Sequence, residues 1–152
     1  MKKCLIGLLF WCGWSLNGWA ELKLAALFSD HVVLQCDRAV PVWGWADAGS
    51  DVTVKFAGQE KTATAGPDGR WMVKLEPMDA TKKGRSMTIM ASKEKTRLTL
   101  QDVVVGEVWI CSGQSNMAWI MKSSMDPDLE IPAANYPNIR LFSVTRKAAG
   151  RP

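Results

Sequence analysis

The chain has 152 residues, 47% of them hydrophobic and 22% charged, with 19 basic against 15 acidic side chains and a formal charge of +4. The charges are scattered beyond small groups such as Lys82-Lys83 and Arg146-Lys147, so the electrostatic footprint of a nucleic-acid-binding protein is missing and no nucleic-acid partner is expected. Neither the four cysteines nor the single histidine shows metal-site spacing, and there is no glycine-rich loop of phosphate-binding type; the expectation is no metal and no cofactor.

Residues 1–20 read as an export signal rather than as structure. Lys2-Lys3 form a positive start, Cys4 through Trp14 an apolar core, and Gly18-Trp19-Ala20 a cleavage site. The apolar stretch is too short for a membrane-spanning helix, and Trp11 is too bulky to precede a lipidated Cys12. Cleavage after Ala20 gives an exported chain, periplasmic or extracellular, beginning at Glu21 with no stable membrane insertion. It loses two of the 19 basic residues and no acid, leaving 17 against 15 and a charge of +2. Cys36 and Cys111 remain. An oxidising compartment could pair them, but Cys111 ends an apolar run, which favours two buried thiols.

From residue 21 to about 101 the pattern is of short strands and turns. Val42–Ala46, Val52–Phe56, Lys61–Thr64, Trp71–Leu75, Met87–Met90 and Thr96–Leu100 alternate or favour β-branched residues. Turn chemistry separates several of them at Asp47-Ala48-Gly49, Ala57-Gly58-Gln59, Gly66-Pro67-Asp68-Gly69 and Lys82-Lys83-Gly84. Six strands at this spacing predict a small β-sandwich domain over 21–101. Trp43 and Trp45 share one face of a strand, which is one way to build a platform for a sugar ring; the plainer reading places both, with Trp71, in the core.

The pattern changes near Gln101-Asp102 from alternating to continuous apolar. Val103 to Cys111 predicts a strand covered on both faces, the segment from about 115 to 123 a helix, and Asn138 to Val144 a further strand: one βαβ unit, where a doubly wound domain needs several. Ser112 and Gly113 break the first strand, which puts Ser115 at a sharp strand-to-helix turn. A serine there has two readings. It can be a nucleophile, activated by a base and served by the free backbone N–H groups of the helix start, or it can be a helix N-cap.

Val105-Gly106-Glu107-Val108-Trp109-Ile110-Cys111-Ser112-Gly113-Gln114-Ser115-Asn116-Met117 closely resembles the first block of the sialate O-acetylesterases, which are SGNH-type hydrolases. Leu27 to Gln35 and Pro41 to Ala46 resemble the β-rich N-terminal region of the same family, in the same order. The resemblance implies hydrolysis of acetyl esters on sugars or glycans. It makes Ser115 the nucleophile and its own N–H an oxyanion donor, with Gly113 and Gln114 shaping the turn and Asn116 the weaker assignment. The family pattern usually has an acidic residue after the methionine and a basic one at the position of Cys36; Ala118 and Cys36 stand there, which leaves fine substrate preference open.

The family draws its base from an Asp-x-x-His motif, and none occurs in these 152 residues. His31, with no acid three residues before it, reads as structural. The expectation is therefore a truncated chain, in which a β-sandwich is followed by the opening βαβ unit (102–152) of an SGNH-type, flavodoxin-like α/β hydrolase domain. Alone it would be inactive, with its last 50 residues poorly stabilised. The alternative is a non-catalytic β-sandwich that binds glycans or partners, with the Ser115 segment an inert remnant.

Overall fold

A computed structural model describes residues 21–144. The predicted export signal at 1–20 lies outside the described residues. Among the described residues, eight strands, one helix and two 3-10 turns follow one another.

The strands form two sheets. β1 (Lys23–Leu24), β3 (Val40–Trp45) and β6 (Arg70–Leu75) make a three-stranded sheet in the order β1-β3-β6. β2 (Val33–Gln35), β8 (Thr96–Gly106), β7 (Thr81–Ala91), β4 (Asp51–Phe56) and β5 (Gln59–Thr64) make a five-stranded sheet in that order. All pairings are antiparallel except β2 with β8, where Val33 lies opposite Val104. The two-residue period of a strand sorts side chains between faces: in β6 Trp71, Val73 and Leu75 are buried while Arg70, Met72 and Lys74 are exposed. Val42 and Val73 of the smaller sheet join Val52, Val54, Met87 and Ile89 of the larger in one buried apolar cluster.

Two turns are tied together by a buried polar group. Ser50 is fully buried, and its hydroxyl donates to Glu94 Oε2 at 2.6 Å and accepts from the Lys93 N–H. Glu94 Oε1 accepts from the Asp47 N–H at 2.6 Å. The β3–β4 turn is thereby pinned to the β7–β8 turn. Partial burial pushes the Glu94 carboxyl up, but the Ser50 hydroxyl, the Asp47 N–H and Lys93 outweigh it and hold it below the usual carboxylate range.

The six predicted strands are present, and β1 and β2 were too short to show a period. Two expectations need correction. Val103 to Val105 are buried, as their unbroken apolar run implied, yet they are the end of β8 and not the start of a separate strand, and residues 107–111 form no strand. The cause is at Asp102, whose φ of +54° and the register shifts opposite it interrupt the alternation before β8 continues to Gly106. No βαβ unit is formed by 107–144. In place of a helix over 115–123 there are 3-10 turns at Ser115–Ala118 and Met121–Ser123, then α1 at Pro127–Ala133; residues 138–144 are not a strand. From 107 to 144 every residue is exposed except Pro127 and Arg140, and without a packed face regular structure here is limited to α1 and the two 3-10 turns.

Candidate active site

Ser115 is positioned by the turn around it. Gly113 has φ +155°, and a Cβ there would lie 2.7 Å from Met117 Cγ, so the approach of the turn to the methionine requires glycine. Gln114 is extended (φ −96°, ψ −159°), and its carbonyl accepts from the Met117 N–H at 2.9 Å. The Asn116 carbonyl accepts from the Trp119 N–H. Gln114, not Ser115, is the cap residue, and no side chain caps the turn. The N-cap reading of Ser115 is therefore corrected: its side chain is exposed and forms no hydrogen bond with the described residues.

Gly113, Gln114, Ser115 and Asn116 are thus gathered in one exposed turn, with the serine at its first residue. No imidazole is hydrogen-bonded to Ser115. His31 is engaged elsewhere: its Nδ1 lies 2.7 Å from Asp102 Oδ2, 71 residues along the chain. Arg140 donates to the same oxygen from Nη2 at 2.8 Å and to the Asp102 carbonyl from Nη1. The His31 hydrogen bond lowers the Asp102 carboxyl most; burial opposes it, and the Arg140 bond and the charges of Arg140 and His31 tip the balance and hold the group below the usual carboxylate range. Sequence reasoning passed over Asp102 and Arg140. The available signal was an acid interrupting the apolar run between Leu100 and Val103, and an arginine inside the apolar run 138–144.

At the foot of the segment, Gln35 Oε1 accepts from the Val108 N–H at 2.9 Å, and the Cys36 thiol points to Glu107 Oε1 at 3.5 Å. Ligand atoms of Cys36, Asp37 and Glu107 lie within 4.8 Å of one another. Asp37, then burial, then Glu107 push the thiol up to about 11, which keeps it protonated and is the reverse of what a nucleophilic or metal-binding thiolate needs. Cys36 is buried, as predicted, whereas Cys111 is exposed, and both are free thiols; the pair of buried thiols is corrected. Of the tryptophans read as core, Trp71 is buried; Trp43 is half-buried, edge-on to Phe28 at 4.8 Å, and Trp45 is exposed. No helix among the described residues is long and apolar enough to cross a membrane.

No family model matches the chain. The sialate O-acetylesterase of Rattus norvegicus is 38% identical over 135 residues, and those of Homo sapiens and Mus musculus are 35% and 33% identical over the same length; each match covers 81% of this chain. Among solved structures, a carbohydrate acetylesterase from Xanthomonas citri superposes with a TM-score of 0.69 at 34% identity, over 76% of this chain and 26% of that one. Fold and sequence together relate the chain to the carbohydrate acetylesterases. Within that class it belongs to the sialate O-acetylesterase family. It spans about a quarter of the length of the relatives it matches.

Proposed function

We propose that this chain contributes the nucleophile segment of an exported carbohydrate O-acetylesterase. One observation carries the reading: in a chain of this family, Ser115 stands exposed, with no hydrogen bond to its side chain among the described residues, at the first residue of a turn set by Gly113 and Gln114. In the reaction, a histidine base supplied from outside these residues takes the Ser115 proton as Oγ attacks the acetyl carbonyl. The bond from that carbon to the sugar oxygen then breaks, and the sugar leaves with the proton. Water, deprotonated by the same base, attacks the acetyl-serine ester, releases acetate and restores the Ser115 hydroxyl. The Ser115 N–H stabilises the oxyanion, a role typically worth about 3–4 kcal/mol per donor, with Asn116 beside it. The architecture that fits is a β-sandwich followed by the opening of an SGNH-type α/β hydrolase domain, acting on O-acetylated sugars or glycans.

The test is Ser115→Ala in the longest form of the protein that releases acetate, assayed with an activated acetyl ester and with an O-acetylated sialic acid. Turnover is expected to fall to background with sugar binding retained. Acetate release that survives the substitution removes Ser115 from the reaction.

A further inference from the structure

The burial of Arg140 runs against its surroundings. Its side chain is 16% exposed, while its apolar neighbours Ile139 and Leu141 are 66% and 93% exposed. A charged side chain lying deeper than the hydrophobic residues on either side of it needs a polar partner. It is held by Asp102: one guanidinium nitrogen bonds the carbonyl, the other the carboxylate. Between Cys111 and Val144 no other described residue hydrogen-bonds to any part of the chain before Gly106.

The receiving end is built for the contact. Asp102 adopts a left-handed backbone where β8 shifts register, which takes its carboxylate out of the regular ladder. Gly84 on β7 leaves the room, since a Cβ there would fall 1.8 Å from Asp102 Oδ1. His31, also left-handed with φ +64°, closes on Oδ2 from the other side. The His31 loop is itself fastened to β8, with Asp30 Oδ1 accepting from the Gln101 N–H at 2.7 Å and the His31 N–H donating to the Gln101 carbonyl at 3.0 Å.

We propose that Asp102 is a positioning residue: flanked by His31, it clasps Arg140, and so fastens the far foot of the loop that carries Ser115, whose near foot is Val108 on Gln35. Residues 107–144 are then a tethered loop with two fixed ends, not a free tail. A fork of two charge-assisted bonds supplies direction as well as attraction, which a lysine at 140 would not. The catalytic part of the inference rests on Ser115 being the nucleophile; the clasp itself does not.

The test places a nitroxide on Met125→Cys, an exposed site within the loop, in a Cys111→Ser background, and reads its mobility by electron spin resonance. Arg140→Gln removes the clasp without touching the core, and Gly84→Ala displaces the Asp102 carboxylate without altering any charge. Each is expected to raise the fast-tumbling fraction several-fold, with Arg140→Lys intermediate. An unchanged spectrum in both Arg140→Gln and Gly84→Ala overturns the proposal. In the acetate-releasing form, Arg140→Gln is expected to lower kcat several-fold at unchanged KM, with partial rescue by lysine. Unchanged kcat removes the positioning role and leaves the tether. Retained acetate release in Ser115→Ala refutes the nucleophile reading, and the nitroxide spectra still decide the clasp.

Discussion

Leu75 and Leu141 are the same residue in runs of similar apolar content, yet the first is fully buried and the second is 93% exposed. The contrast extends to Trp71, which is buried, and Trp109, which is 83% exposed. Residues up to Gly106 and residues 107–144 therefore differ in something other than hydrophobicity. In the first region, alternation gives each strand one apolar face, and two sheets bring those faces together. In the second, apolar residues such as Ile120, Leu129 and Phe142 have no facing layer among the described residues. Composition sets what can be buried; a partner layer decides what is.

Truncation in the first region should be expensive. Leu75→Ala deletes a fully buried side chain from the shared cluster and should destabilise the fold by about 2–5 kcal/mol, read from urea unfolding followed by far-ultraviolet circular dichroism. A loss under about 1 kcal/mol would mean that the two sheets do not share a tight core. Glu94→Ala is expected to cost less, about 1–3 kcal/mol, because it leaves the buried Ser50 hydroxyl and the Asp47 N–H without the carboxylate that joins them. Glu94→Gln should recover part of that loss, since it keeps an acceptor for one of the two donors.

The two thiols sharpen the comparison without a stability measurement. Cys111 in the exposed region should react with a maleimide in the native state, whereas Cys36, buried and protonated beside Asp37 and Glu107, should react only on unfolding. The sign of the pH effect follows. The folded-state value of Cys36 is raised from 9.0 to about 11, so its contribution to stability is fully present below pH 9 and lost as the pH rises towards 11. Cys36→Ser should flatten that alkaline loss, measured as Tm between pH 8 and pH 11. Native labelling of Cys36 at the rate of Cys111 would show that the β2 end is open.

How much of this was legible in the sequence depends on whether the cause was local. The strands from Val40 to Leu100 were legible because alternation and turn residues are properties of a few neighbouring positions. Gly113 was legible as a turn former, because a break after an apolar run is also a local property. Val103 to Val105 were legible as buried but not as the end of β8, because the interruption at Asp102 shows only in the pairing with β7, a strand distant in sequence whose Gly84 leaves room for the Asp102 carboxylate. The His31–Asp102–Arg140 cluster was illegible for the same reason: it joins residues separated by 71 and 38 positions, and nothing local marks them as partners. The helix over 115–123 was read from helix-favouring composition and the strand over 138–144 from its apolar residues, and without a facing layer neither property produces the element.

The smallest expected effect is the most discriminating. Leu141→Ala removes as many atoms as Leu75→Ala, but from a side chain already in water, so it should change unfolding stability by no more than about 0.5 kcal/mol. The two substitutions hold chemistry constant and vary only burial, so their difference measures what the facing layer contributes. Because Leu141 directly follows Arg140, the substitution also asks whether the Asp102 clasp depends on its neighbour. If the bond is made by the guanidinium alone, Leu141→Ala leaves the Met125 nitroxide spectrum as it is while Arg140→Gln changes it. A Leu141→Ala cost approaching that of Leu75→Ala would mean that residues 138–144 are packed in solution against a surface of this chain, and the division between the two regions would have to be withdrawn.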